Sequence, residues 1–346
     1  MNNTSIPFQA SKLPLSFRLD RRVPRVLGIL LLLTLTAMIV HVGQGDYWID
    51  PWETFKSILG LKTNHSETFF IINTLRLPRT LVAWLVGIGL AISGTITQAI
   101  TRNPLADPSI IGINAGAALA AVILLIIFPS VSLTLVPVAA FLGGLIISIL
   151  VYLLAWENGT SPVRLILIGV SFNLITSALT NLMITFGNIN HVSQALVWLA
   201  GSVYGRSWEQ VATLLPWTII LSIMAFLLSN ELNTLHLGDN VAKSLGSRVE
   251  WQRGLLLLIA VALAGASIAT AGAVGFIGLI SPHLARQLVG VSHQGLLPTA
   301  AMIGGIIVVI ADLLGRLLFA PIEIPCGLIT AIIGTPYFIY LLITKR

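Results

Sequence analysis

Apolar residues in this chain run in long uncharged blocks, and polar residues are confined to the gaps between them. The clearest block is Leu81 to Ile100. Arg76 and Arg79, one helical turn apart with Pro78 between them, precede it; Arg102, Asn103, Pro104, Asp107 and Pro108 follow it, and a second block begins at Ile110. About 20 residues at a rise of about 1.5 Å cross a hydrocarbon core of roughly 30 Å, so the two blocks predict a transmembrane helical hairpin. Pro104 and Pro108 disfavour helix at the residue before each and remove two backbone donors. The turn therefore belongs at the membrane surface, where water satisfies the open groups.

The same reading along the chain predicts ten spans. Span one runs from Val26 to Val42, after a polar, basic tail at 1–25; no small-residue cleavage site closes it, so it reads as an uncleaved helix. The outer segment 46–79 places Trp48 and Trp52 at the level of an aromatic belt. Spans two and three are the hairpin, and spans four to six lie near 133–155, 164–186 and 210–229. A polar interval at 230–253 follows. The uncharged run from Gly254 to Leu284 would be about 46 Å long as a helix, too long for one crossing, so it divides at Ala271 to Gly275 into span seven (254–272) and a short span eight (275–290). Spans nine (297–316) and ten (325–343) complete an all-α helical bundle, read as a single transmembrane domain over 1–346.

Charge decides the orientation. With both termini in the cytoplasm, thirteen of the 19 lysines and arginines fall inside and six outside, as the positive-inside rule requires. Spans two to five then start outside and spans seven to ten inside, the arrangement of an inverted repeat. Only 9% of the 346 residues are charged and mean hydropathy is +0.94, against about 25% charged in soluble domains. The net charge of +6 forms no basic stripe with interleaved aromatics, so nucleic acid is not an expected partner and lipid is. Cys326 is the single cysteine, which excludes an intrachain disulfide and a cysteine-built metal site.

Candidate chemistry is sparse. No G-x-x-x-x-G-K-[ST] loop is present, so the chain has no P-loop of its own for ATP. Mid-membrane carboxylates, which an ion-coupled carrier needs, are also missing from the spans. Asp312 and Arg316 sit at an outer helix end, at the spacing of a local i,i+4 pair. His283 and Arg286 share one helix face near the inner surface and read as capping and packing; no second ligand at a suitable spacing makes a metal site there. Gly87 with Ala91, and Gly265 with Ala269, are small residues at a spacing that lets helices approach closely. Within 230–253, Leu235, Leu237, Val241, Ala242 and Leu245 give an apolar face at helical spacing. Gly238 and Gly246 bracket a short helix there, with Asp239 at its start. Such a helix fits a groove on a partner, and it reads equally as a solvated loop. An intramembrane enzyme is a poor alternative, since neither H-E-x-x-H nor G-x-S-x-G occurs.

RLPR at 76–79, the Gly-rich span ending in SG, RNPLADP at 102–108 and the G-x-N-x-G after it resemble the FecCD-type permeases. These are the membrane subunits of bacterial ABC importers for iron–siderophores, haem and cobalamin. The resemblance implies a non-enzymatic, multi-pass cell-membrane subunit that binds no cofactor, works by alternating access and carries a metal chelate, with an iron(III)–siderophore ahead of haem or cobalamin. It also implies two ATPase subunits that use ATP, a second permease (identical or paralogous), and an extracytoplasmic binding lipoprotein or periplasmic protein. Residue by residue, it makes Leu237, Gly238, Asp239, Ala242, Leu245 and Gly246 the ATPase-coupling segment. Thr160 and Ser161, in the link between spans four and five, fall near the cytoplasmic gate; Arg76, Arg79 and Arg316 match positions that receive acidic residues of the binding protein. From physics alone those three arginines read as headgroup anchors or, for Arg316, as the partner of Asp312.

Overall fold

The computed structural model describes residues 5–9, 16–45, 47–58, 60–61, 66–157 and 159–344. Lys12, Lys62, Lys345 and Arg346, which enter the charge count, lie outside the described residues. Two short strands, β1 (Ser5–Gln9) and β2 (Ser16–Asp20), pair antiparallel in the tail, so the tail is not without regular structure.

Helices account for the rest of the regular structure among the described residues. Their order is α1 (Arg22–Gly43), α2 (Pro51–Ile58), α3 (Ser66–Phe70), α4 (Leu77–Thr101), α5 (Ile113–Ile127), α6 (Val136–Leu154), α7 (Pro162–Phe186), α8 (Ile189–Leu199), α9 (Trp208–Leu227), α10 (Ser229–His236), α11 (Asp239–Ser244), α12 (Val249–Ala271), α13 (Ile277–Val289), α14 (His293–Leu317) and α15 (Cys326–Thr344). Among the described residues, eight helices are long and apolar enough to cross a membrane. The other two expected spans are the shorter α5, of 15 residues, and α13, of 13.

Span two begins earlier than its apolar block. A π-helical turn, Ile71–Arg76, joins α3 to α4, and helix runs continuously from residue 66 to 101. Pro78 lies two residues past the π-helical turn, inside this continuous helix, where it supplies no N–H to the ladder. The last part of the expected outer segment is therefore helix. The gap between spans five and six likewise contains a helix, α8, capped by Asn188. Ser207 and Gln210 form a capping box that starts α9.

Spans three and eight are short for one reason: each is helical over only part of its length. Span three enters through a 3-10 turn, Pro108–Ile111, and Gly112, whose φ of 84° is in the left-handed region. Span eight enters through non-helical residues 272–276, after α12 ends at Gly272. The two lie at equivalent places in the halves and run in opposite senses, as an inverted repeat requires. Non-helical backbone at membrane depth needs protein or a water-filled cavity around it, and Pro108, Ile111, Gly112, Gly272 and Val274 are buried.

The centre of the bundle is α4, α12 and α14. The most apolar windows of α4 and α12 are 83% buried and that of α14 is 67%, against 22% for α7. Close backbone approach explains the packing: a Cβ on Gly87 would lie 2.2 Å from the Gly304 carbonyl oxygen, and one on Gly94 would lie 1.9 Å from that of Gly278. Gly265 instead meets the Phe141 ring, at 3.1 Å.

Candidate functional site

Polar side chains gather at the two ends of the bundle. At the outer end, Asp312 of α14 is almost fully buried and takes two hydrogen bonds from Arg79 of α4, Nε at 2.7 Å and Nη2 at 2.9 Å. His41 of α1 closes on the same carboxylate, with Nε2 at 2.8 Å. The Thr80 hydroxyl lies 2.7 Å from His41 Nδ1 and 2.8 Å from the Arg76 carbonyl, and its single proton serves one of them. Arg79 also pairs with Glu323 at 2.9 Å and lies over the Tyr204 ring, 5.5 Å from its centroid.

The three arginines expected to face a binding protein are therefore not loose at the surface. Arg76, Arg79 and Arg316 are 7–8% exposed. Arg76 donates to the carbonyls of Val42, Gly43 and Tyr47 at 2.9, 3.1 and 2.7 Å, and Arg316 donates to that of His41 at 2.5 Å. The hydrogen-bonded partner of Asp312 is Arg79 from another helix, rather than Arg316 one turn away. Arg76, Arg79 and Arg316 still line a cleft of about 480 Å³ with Tyr47, Tyr204 and Glu323. Their guanidinium groups fix helix ends and charge a cavity at once.

At the inner end, residues expected in three separate roles meet in one network. Asp239, the first residue of α11, receives Arg102 at 2.7 Å and Arg253 at 2.6 Å through the same oxygen. Arg253, at the start of α12, also donates to the Thr160 carbonyl at 2.6 Å and hydroxyl at 2.7 Å. Glu250 accepts from the Thr160 amide at 3.2 Å and hydroxyl at 2.8 Å. The 102–108 turn, the short helix after Gly238 and Thr160 of the link before α7 are thus tied to the first two turns of α12. Ser161 precedes α7 without capping it through its side chain.

The remaining residues of the 102–108 turn are structural. Arg102, at a left-handed φ of 52°, ends α4, and Asn103 accepts from the Leu105 amide at 3.0 Å. Pro104 lends its carbonyl to Arg286 at 3.4 Å; Asp107 caps Ser109 at 3.0 Å, and Pro108 is buried against Gly278. Desolvation pushes the Asp107 carboxyl above its ordinary range, opposed by the Ser109 bond. Arg286 also bonds Gln98, whose amide reaches the Ala106 and Gly278 carbonyls at 3.1 and 3.2 Å. His283 pairs with Gln287 on its own helix at 2.9 Å.

The expected apolar face of the 230–253 segment divides in two. Leu235 and Ala242 are buried in the chain's own core, whereas Leu237, Val241 and Leu245 are 62%, 45% and 65% exposed. Gly238 and Gly246 bracket α11 as expected, both at positive φ. Glu250 and Arg253 were not among the expected site residues: their i,i+3 spacing was legible, but their partners lie about 90 positions away. His41 had one signal, a lone polar ring in an apolar block.

The family model described as the FecCD transport family matches residues 29–344. The chain is 43% identical over 324 residues to the probable siderophore transport system permease protein YfhA of Bacillus subtilis (strain 168), covering 92% of this chain and 94% of that one. It is 39% identical over 296 residues to the Fe(3+) dicitrate transport system permease protein FecD of Escherichia coli (strain K12), covering 86% and 91%. A solved structure described as an inward-facing conformation of a metal-chelate type ABC transporter superposes with a TM-score of 0.84 at 32% identity, covering 93% of this chain and all of that one. With the bundle, the 102–108 turn and the matching relatives agreeing over nearly the whole length, this multi-pass membrane protein belongs to the FecCD transport family.

Proposed function

We propose that the chain is the permease subunit of a binding-protein-dependent ABC importer in a bacterial cell membrane, carrying an iron(III) chelate by alternating access. Two ATPase subunits drive it, and a second permease completes the pathway. The carrying observation is the inner network: α11 offers Val241 to a partner, with Leu237 and Leu245 at its flanks, while Asp239 is ion-paired to Arg253, which also holds the Thr160 link. Movement of a docked ATPase reaches that link through two charged side chains. Two further observations support the reading. Helix α7 is mostly uncovered, and one side carries Ser171, Asn181 and Thr185 among the exposed Leu167, Leu174 and Leu182, a mixed surface that suits packing against a second permease. The outer cleft, with Arg76, Arg79 and Arg316, faces the side from which a binding protein with acidic residues would dock.

Reconstitution of the permease with its ATPase and binding protein in proteoliposomes tests this. Uptake of ferric chelate is expected to require ATP and the binding protein, and Leu245→Asp is expected to leave the permease inserted but abolish ATPase association. Uptake driven by an ion gradient without either partner would refute the reading in favour of a secondary transporter.

A further inference from the structure

Helices α1, α4, α9 and α14 enclose a groove of about 510 Å³ on the membrane-facing side of the bundle. Leu27, Phe226 and Leu297 line it near the inner ends of their helices, and Leu31, Ile88 and Met302 line it deeper in the hydrocarbon region. Its two lips, Leu31 of α1 and Ile223 of α9, are exposed, so the bilayer has access to it.

The inner mouth of the groove is charged. Arg21, Arg22 and Arg25, at the start of α1, are exposed, and their side chains make no hydrogen bond or ion pair among the described residues. Asp20 is turned to the Arg22 amide, at 2.8 Å. Arg21 and Arg25 stand four positions apart and share one side of the chain. Gly28 lies three positions from Arg25 and three from Leu31. It carries no side chain, and a Cβ there would meet nothing within 4 Å, so the way from the arginines to the groove is open.

Shape and charge together select the occupant. A transmembrane helix with its side chains is about 10 Å across and packs through small residues, whereas the walls here are mostly Leu, Ile, Phe and Met. A single hydrocarbon chain fits such a slot. Guanidinium groups where that slot reaches the inner surface attract an anionic headgroup and hold phosphate oxygens through paired hydrogen bonds.

We propose that this groove binds one anionic phospholipid of the inner leaflet, with an acyl chain between α1 and α9 and its phosphate on Arg21 and Arg25. The most apolar window of α1 is only 28% buried, and the bound lipid holds this helix to α9. The site is separate from the outer cleft and from the inner network, and it does not depend on what the importer carries.

The test uses the full chain, purified in detergent and supplied with phosphatidylglycerol, phosphatidylcholine or water-soluble glycerol phosphate. Native mass spectrometry counts the retained lipid, and the heating transition reports its effect. Wild type is expected to retain one phosphatidylglycerol in preference to phosphatidylcholine, to melt higher with it, and to lose the preference in high salt. The double variant Arg21→Gln, Arg25→Gln is expected to weaken phosphatidylglycerol binding by about tenfold or more. Leu31→Trp, at an exposed lip, blocks the slot with the arginines intact and is expected to lose the same lipid. Both variants change exposed residues and are expected to melt like wild type in lipid-free detergent. Equal retention of the two lipids by wild type overturns the proposal, because annular lipid alone explains it. Loss in the arginine variant without loss in Leu31→Trp overturns it in favour of surface adsorption. A shift of the transition by glycerol phosphate equal to that by the lipid overturns it in favour of a free phosphate site.

Discussion

Removing the carboxylate of Asp312 is the sharpest test of how the outer end is built. Asp312 is 1% exposed and joins three helices: it takes two bonds from Arg79 of α4 and one contact from His41 of α1. Asp312→Leu leaves Arg79, itself 8% exposed, with Glu323 as its remaining ion-pair partner. Breaking a buried pair from one side costs about 3–5 kcal/mol. The surviving Glu323 contact places the expected loss at the lower end, about 3 kcal/mol. At about 2 °C per kcal/mol for a chain above roughly 150 residues, the transition temperature is expected to fall by about 6 °C. Detergent-solubilised permease heated for a fixed time and passed over a sizing column reads this, all variants being treated alike because aggregation follows unfolding. Arg79→Met alone is expected to lose a similar amount. The double variant Arg79→Met, Asp312→Leu is expected to lie closer to wild type than either single one, since apolar replacement of a whole buried pair is often near neutral. A double variant whose loss equals the sum of the two would refute the argument that the pair acts as a unit.

The other predictions separate roles that neighbouring residues were expected to share. Ala242→Asp buries a charge in the chain's own core and is expected to lower permease stability by several kcal/mol, whereas Leu245→Asp leaves the heating transition unchanged; equal transitions would contradict the division of the 230–253 face. Gly94→Val drives a side chain into the Gly278 carbonyl and is expected to cost about 3 kcal/mol, while Gly28→Ala, with nothing within 4 Å, is expected to be silent on the same column. In a Cys326→Ser background, Tyr204→Cys is expected to react with an impermeant thiol reagent in intact cells and Leu245→Cys to resist it, both sites being well exposed; the reverse pattern would invert the bundle.

Sequence alone determined what depends on local composition. Uncharged blocks of about 20 residues admit one low-energy solution in a bilayer, a helix that satisfies its own backbone, and the lysine and arginine count then orients the set. Proline and glycine punctuation placed the 102–108 turn and the limits of α11 for the same reason, since these residues act on the backbone where they stand. The short lengths of spans three and eight had a partial signal, the surplus length of the Gly254–Leu284 run, but non-helical backbone at membrane depth requires neighbours that enclose it. Partner choice was not legible. Asp312 and Arg316 are one turn apart, yet the carboxylate bonds Arg79, 233 positions away, because α4 and α14 approach through Gly87 and Gly304 and bring those side chains together. Thr160, Asp239 and Arg253 converge in the same way, and the apolar face of the coupling segment divides between core and solvent only once α10 and α11 have docked on the bundle. Helical spacing says which residues share a face; only tertiary packing decides what that face meets.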